Sequence, residues 1–414
     1  MRPLDGLRVV DFGWVAVGPV LSSLLAEFGA EVIKVESSRR LDYCRLIPTP
    51  LGEDEKVSDA LAVRADEVDR VLLFHQYNRG KLGITVDLRH PGAPALLRRL
   101  VTRSDVVVEN FSPRVLREVG LDYPALARVK PDLIMISCSA AGHGGPWEAV
   151  RTFAPSLSSL AGLERLIGYP GERCLGALTF GYADPSNAHH GLFAVLAALW
   201  HRERTGEGQW IDMSQLEATV GLVGEALIDY FRNGRVWGTQ GATHASLAPH
   251  GIYPCAGDDE WVALACQTEA EWRALCEVMG DPPWCREARF RDLERRRQNR
   301  EALDRLIAGW TRDLAPSDVA SRCQSVGVSA APVLGLEAHT SHPYFLARGT
   351  VASVAHPALG SLALYTSPIT LGVTPGQFVR PAPCLGEDNE RIFGDLLGLA
   401  PDEIERLRAD GLIR

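Results

Sequence analysis

Gly181 to Val220 reads GYADPSNAHHGLFAVLAALWHRERTGEGQWIDMSQLEATV. Asp184 directly before Pro185 predicts a helix start, because the aspartate can cap free N–H groups and the fixed φ of proline suits the first turn. The helix is expected over 185–204. Leu192, Val195, Leu196 and Leu199 recur at i, i+3, i+4 and i+7, which predicts one buried stripe, and Thr205-Gly206 supplies the stop. A polar turn then leads into a short strand over 209–213. Ser214 with Glu217 three residues on has the spacing of a capping box opening the next helix.

Upstream, 7–12 is a compact apolar strand, 19–28 has helical spacing up to Gly29, and 31–36 is a second strand, a βαβ unit of the doubly wound kind. The intervening turn, Gly13-Trp-Val-Ala-Val-Gly-Pro19, lacks the G-x-G-x-x-G spacing that brings a pyrophosphate onto the backbone, so a dinucleotide site is disfavoured. Without those glycines Glu36 reads as a solvated strand end. Residues 45–71 read as a surface excursion. Strands are expected at 82–86, 105–108 and 133–137, a crossover helix at 89–101, and short helical pieces at 115–119 and 123–129. The segment 177–182 approaches the turn before Asp184. Further on, strands at 250–255 and 261–266 flank a turn, helices follow at 269–279 and 298–310, and the charge run 289–300 reads as a solvated helical face. Two more helices are expected at 389–397 and 402–410.

With 414 residues the chain can bury a large core in two domains, and 46% hydrophobic with 23% charged residues is an ordinary soluble composition. The net charge of −9 argues against a nucleic-acid binder. Lys34, Lys56, Lys81 and Lys130 are the only lysines, so arginine must supply most phosphate contacts. The early acidic residue Asp5 argues against a signal peptide, and the apolar run 191–200 is half a membrane span. A cytoplasmic protein without membrane association is therefore expected. Nine cysteines form no C-x-x-C pair, which indicates neither a metal site nor a disulfide framework. They are expected reduced and mostly buried.

The block around Asp184, together with Ala30-Glu-Val-Ile-Lys-Val-Glu36, Asn78-Arg-Gly-Lys81, Asp105-Val-Val-Val-Glu-Asn-Phe111, Gly120-Leu-Asp-Tyr123 and Gly142-His-Gly-Gly-Pro146, resembles the family III CoA-transferases (CaiB/BaiF family). That group includes formyl-CoA, carnitine and bile-acid CoA-transferases and related acyl-CoA racemases. Ala331-Pro-Val333, Ser367-Pro368 and Ala382-Pro-Cys-Leu-Gly-Glu-Asp388 continue the likeness. The blocks fall in family order over about half the chain.

The resemblance implies an α/β fold: a large Rossmann-like doubly wound domain (1–225, returning over 331–414) and a smaller α+β domain (226–330). It further implies an interlaced homodimer, and an acyl-CoA thioester as substrate with no permanently bound cofactor. Asp184 would be the nucleophile, forming a mixed anhydride and then an aspartyl-CoA thioester. Val15, Ala16 and Val17, then Asn78, Arg79 and Lys81, Asn110 and Phe111, and finally Arg151 would line the CoA channel. Where the family pattern has basic residues this chain has Ser37 and Glu118, which leaves Arg39 or Arg40 and Arg114 or Arg117 as substitutes. Gly142, His143, Gly144 and Gly145 resemble a loop that closes over intermediates, although a plain tight turn fits equally. His189 and His190 read as buried structural residues before a pocket role.

The racemases pair a histidine of the glycine-loop region with an aspartate in a Gly-His-Asp-like block. Here residues 151–157, Arg-Thr-Phe-Ala-Pro-Ser-Leu, contain no acid. Transferase is therefore favoured over racemase, and the 11–19 segment looks most like members using succinyl-CoA as donor. A non-catalytic subunit of a heteromeric transferase is disfavoured by the presence of Asp184, and a Rossmann-type oxidoreductase by the missing glycines.

Overall fold

The computed structural model describes residues 1–46, 67–176 and 181–414. Residues 47–66 of the excursion expected over 45–71, and 177–180 of the approach expected over 177–182, lie outside the described residues. The chain divides into two units, one formed by Met1–Glu164, Ala177–Gly234 and His342–Arg414, the other by Arg165–Gly176 and Arg235–Ser341.

The first unit is built on six strands, β1 (Arg8–Asp11), β2 (Glu31–Glu36), β3 (Leu82–Thr85), β4 (Val106–Glu109), β5 (Ile134–Ser139) and β6 (Gln209–Ser214). All pair in parallel, in the order β3-β2-β1-β4-β5-β6. This is the doubly wound order, with its switch point between β1 and β4. Because side chains alternate across a strand, each strand feeds two cores. Val10, Ile33, Val107 and Met135 face a cluster that includes the helix Ala93–Thr102 and the C-terminal residues Ile392, Phe393 and Ile404. Val9, Val32, Val106 and Ile136 face the opposite cluster, which holds Leu21 and Leu25 of α1 (Val17–Glu27) with Ala188, Val195 and Ala198.

The long helix spans Ala183–Thr205, with Tyr182 at its N-cap. Asp184 thus lies inside the first turn and caps nothing, which corrects the expected start. The buried stripe also differs: Ala188, Gly191, Val195 and Ala198 face the sheet while Leu196 is exposed. Small residues win because the helix runs close to the strands; a Cβ on Gly191 would come 3.2 Å from Ile136 Cδ1. Ser214 caps the following helix by accepting the Glu217 N–H, as expected.

At the edge, β3 would present unpaired N–H groups. Asp388 Oδ2 accepts the Gly83 N–H at 2.8 Å and Asn389 Oδ1 accepts the Thr85 N–H at 2.9 Å. The returning C-terminal segment therefore closes the edge that six strands leave open. Within the same segment β10 (Val351–His356) and β11 (Gly360–Tyr365) form an antiparallel hairpin that the sequence reading missed.

The second unit carries an antiparallel sheet of β7 (His250–Pro254), β8 (Trp261–Ala265) and β9 (Ser329–Pro332). Helices Glu269–Val278, Arg300–Thr311 and Pro316–Ser325 pack their apolar faces onto it through Trp272, Leu303, Ile307 and Val319. The charge run is not wholly solvated. Arg296 is 1% exposed, held by Glu269 and by the Ala248 and Phe290 carbonyls. Seven of the nine cysteines are buried.

A close approach at the β5–β6 crossing gives one prediction. A Cβ on Gly208 would overlap the backbone of Asp132 and Leu133, which no side-chain rotation relieves. Gly208→Ala is expected to cost about 3 kcal/mol or more in a urea titration; a loss too small to resolve would contradict the packing.

Candidate active site

Parallel strands of the doubly wound order end on a crevice at the switch point, and the candidate site is built there. The turn after β1 meets the turn after β4: Asn110 Oδ1 accepts the Trp14 N–H at 2.7 Å and Asn110 Nδ2 donates to the Trp14 carbonyl at 2.8 Å. Beside them Trp14, Arg39, Arg40, Leu41, Tyr43 and Leu46 line a cleft of about 400 Å³. The Arg40 guanidinium lies 4.6 Å from the Trp14 ring centre. Arg39 is mostly exposed and pairs with Asp87 at 3.1 Å. Both arginines proposed from sequence as substitutes for Ser37 therefore border the same cleft.

The other expected contacts separate into two groups. Ala16 and Val17 are buried at the start of α1, and Val15 is half-buried in the turn. Arg114 and Arg151 are exposed, and Phe111 packs on the core. By contrast Asn78, Arg79 and Lys81 are buried and committed to partners inside the protein. Lys81 Nζ reaches Asp11 Oδ2 at 2.8 Å, Asn78 Oδ1 at 2.8 Å and the Pro19 carbonyl at 2.9 Å. Arg79 pairs with Glu27 at 3.0 Å. These residues stand behind the site and do not line it, because a fully buried ammonium needs fixed acceptors all round.

Around Lys81 lies an ionic cluster that sequence reasoning missed. Lys34 Nζ bridges the Gly13 carbonyl at 2.7 Å and Asp42 Oδ2 at 3.2 Å. Glu36 is not a solvated end: it is buried and holds Arg45 with two bonds of 2.9 and 2.8 Å. The signal was present, since Glu-Val-Ile-Lys-Val-Glu places a lysine inside an otherwise apolar parallel strand. Lys81 is pushed down to about 8, chiefly by burial. Asp11 is lowered even though burial acts to raise it, because Lys81 and Lys34 hold it ionised.

Asp184 is the contrasting carboxylate. No hydrogen bond or ion pair reaches its side chain among the described residues, and burial raises it from 3.8 to about 6. Gly181 lies against it; a Cβ there would come 3.3 Å from Asp184 Oδ2. Tyr77 is held above its ordinary value by burial, then by the charges of Cys44 and Asp184. Cys44 is raised as well, by burial first, with Asp42 and Asp184 contributing. Asp184, Cys44 and Tyr77 thus share one neighbourhood, and Cys44 links it to the turn after β1 by donating to the Val15 carbonyl at 3.1 Å.

The Gly142–Gly145 turn is tied down. His143 donates its backbone N–H and its Nδ1–H to the two oxygens of Asp212, at 3.0 and 2.9 Å, and its ring stands edge-on to Trp210. His189 and His190, expected to be buried, are exposed, and each donates Nδ1–H to the carbonyl four residues back. Among the described residues no group of three or more His, Cys, Asp or Glu side chains is arranged to hold a metal ion, and no helix is long and apolar enough to cross a membrane.

Residues 4–389 match the model of CoA-transferase family III. The chain belongs to CoA-transferase family III. It is 32% identical over its full length to the succinyl-CoA–D-citramalate CoA-transferase of Chloroflexus aurantiacus, covering 98% of that protein. It is also 32% identical, over 99% of its length and 92% of the relative, to the succinyl-CoA–L-malate CoA-transferase alpha subunit of Chloroflexus aurantiacus. Among solved structures, a CAIB/BAIF family protein from Brucella suis superposes with a TM-score of 0.83 at 28% identity, covering 95% of this chain and 99% of that one. This family III chain is a CoA-transferase whose substrates are CoA thioesters and acids, and its large Rossmann-like and small α+β parts are those of the CAIB/BAIF fold.

Proposed function

We propose that the protein moves CoA from an acyl-CoA donor, with succinyl-CoA as the first candidate, to a carboxylic acid acceptor through covalent intermediates on Asp184. The observation that carries this reading is the half-buried Asp184 carboxylate, unpaired among the described residues and set in the first turn of a 23-residue helix. Asp11, Glu27 and Glu36 are each neutralised by a cation. Among the described residues Asp184 has none, and its partial burial leaves its oxygens poorly solvated and available as a nucleophile. The nearby helix N-terminus favours the anion and offers N–H groups to a developing oxyanion.

In this scheme an Asp184 oxygen attacks the thioester carbonyl carbon, the C–S bond breaks and the CoA thiolate leaves, giving a mixed anhydride. The thiolate then attacks the Asp184 carbonyl and expels the donor carboxylate, which leaves an aspartyl-CoA thioester. The acceptor carboxylate repeats the first step on that thioester, and the released thiolate takes the acceptor acyl group and frees Asp184. Each exchange trades bonds of similar energy, so no nucleotide is consumed. The cleft bordered by Trp14, Arg39 and Arg40 suits the adenine and phosphate end of CoA, with one aromatic face and two cations. The relatives named for succinyl-CoA support that donor.

Incubation with succinyl-CoA followed by hydroxylamine is expected to leave a hydroxamate on Asp184, read by peptide mass; label on another carboxylate would remove the assignment. A panel of carboxylic acids tested for CoA exchange then identifies the acceptor. The relative named as an alpha subunit favours a second reading, in which this chain needs a partner polypeptide. Full turnover by the isolated chain would reject it.

We further infer an interlaced homodimer and a cytoplasmic setting. Phe193, Leu196 and Trp200 recur at i, i+3 and i+7 on the outer face of the long helix, and Phe193 is 76% exposed. Ile228 and Phe231 are exposed on the helix Gly224–Asn233. Such a concentration of exposed apolar side chains is the mark of a covered surface. Sedimentation is expected to show a dimer at micromolar concentration; a monomer would defeat the inference.

A further inference from the structure

The turn after β1 holds a conformation that its sequence resists. Val15 has φ +63°, in the left-handed region that a β-branched side chain avoids. Such a residue persists only where its surroundings over-determine it. Here every backbone polar group from Gly13 to Val15 is taken by a side chain. Gly13 donates to Asp11 Oδ1 at 2.6 Å and accepts from Lys34 Nζ at 2.7 Å. Trp14 is bonded at both its N–H and its carbonyl by Asn110. The Val15 N–H goes to Asp42 Oδ1 at 3.2 Å, and its carbonyl accepts from Cys44 Sγ at 3.1 Å.

Asp42 is the centre of the restraint on Val15. It is 1% exposed, its Oδ1 also accepts the Cys44 N–H at 2.9 Å, and its Oδ2 faces Lys34 at 3.2 Å. One carboxylate therefore fixes the valine amide, the cysteine that holds the valine carbonyl, and the lysine that holds Gly13. A residue without a β-branch would hold this half-buried turn at lower cost. The strain makes sense where the turn must present Ala16 and the first residues of α1 in one fixed place.

We propose that Asp42 is a positioning residue for thioester transfer: directly and through Cys44 it locks Val15 in the left-handed conformation, through Lys34 it holds Gly13, and so it fixes the 13–17 turn beside Asp184. The proposal rests on the reading of this turn as part of the CoA channel. Asp42 touches no substrate; it acts through Val15.

A double-mutant cycle tests it, read as the single-turnover rate of Asp184 labelling by succinyl-CoA and hydroxylamine. Asp42→Ala is expected to slow labelling by about 10²-fold, the size of loss that a misplaced reactive group brings, with a smaller change in the KM for the thioester. Asp42→Asn keeps an acceptor for both N–H groups but loses the pair with Lys34, and should lie between the parent and Asp42→Ala. Glycine adopts positive φ without steric cost, so Asp42→Ala placed in a Val15→Gly background should cost only a small fraction of that loss. A merely structural role would not be rescued this way, since glycine adds freedom and repairs no lost ion pair. Should Asp42→Ala fail to fold, Cys44→Ala removes the Sγ contact to the Val15 carbonyl, with some loss of packing against Phe74, while keeping the Asp42–Val15 bond, and is expected to show a smaller loss with the same rescue. A folded Asp42→Ala variant that labels at the parent rate, or an undiminished loss in the Val15→Gly background, overturns the proposal. Absence of Asp184 labelling in the parent protein would instead overturn the nucleophile reading itself.

Discussion

Asp184→Asn is expected to abolish turnover while raising the melting temperature at slightly alkaline pH. The carboxylate is raised from 3.8 to about 6 by burial, so the folded state favours its protonated form. The stability this contributes is fully present below about pH 4 and is lost as pH rises through about 6, where the folded protein must hold a poorly solvated anion. A neutral asparagine escapes that cost. The shift of about two units corresponds to about 3 kcal/mol at most, and partial exposure reduces it to about 1–2 kcal/mol. Since Tyr182 occupies the N-cap, no capping bond is lost to offset the gain. The stabilisation should be seen near pH 8 and vanish near pH 4 in thermal melts. Activity moves the opposite way, because an amide nitrogen cannot form the anhydride. In the parent protein kcat/KM for the acyl-CoA should fall about tenfold per unit as pH drops below about 6. An asparagine variant that turns over without deamidating, or a stabilisation that grows toward acid, would sink both halves of the argument.

Lys81→Ala carries the second large effect, and it falls on stability. The Lys81 ammonium is wholly buried and satisfies Asp11, Asn78 and the Pro19 carbonyl. Its removal leaves the Asp11 carboxylate buried with Lys34 as the remaining nearby cation, and stripping one partner from such a pair costs about 3–5 kcal/mol. A residue lining the CoA channel would act differently: its loss would raise the KM for the thioester and leave the unfolding midpoint in place. The expected result is therefore a large drop in the urea midpoint with little change in KM for the fraction that remains folded. A stable Lys81→Ala protein with weakened acyl-CoA binding would restore Lys81 to the channel wall. Burial lowers Lys81 to about 8, so between about pH 8 and 10.5 the unfolded chain holds a proton that the folded one has released, and stability from this group rises with pH over that window.

Much of the architecture was legible in the residues. Continuous apolar runs such as Val9-Val10 and Val106-Val107-Val108 identify strands buried on both faces, and Gly29 and Gly206 mark where helices stop. The antiparallel pair β7–β8 follows from two alternating segments about a tight turn, a signal contained within sixteen residues. The β10–β11 hairpin escaped because its alternation, Val351-Ala-Ser-Val-Ala-His356, is too weakly apolar to stand out from loop.

The sequence by itself determined the strand and helix alternation, the family, and Asp184 as the residue to test, because those signals lie in local periodicity and in short blocks read in order. Tertiary structure alone decided which charges are buried and which are free. Lys34 pairs with Asp42 across a chain turn, and Lys81 meets Asp11 across 70 positions. No local pattern encodes that meeting, since burial of a charge depends on what the rest of the chain lays over it. The same holds for the long helix, whose sheet-facing side is chosen by the closeness of the strands beneath Gly191, a distance that periodicity does not contain. It holds too for Asp184, which no cation reaches among the described residues and whose proton affinity burial raises; that separates it from the carboxylates Asp11, Glu27 and Glu36, each paired with a cation.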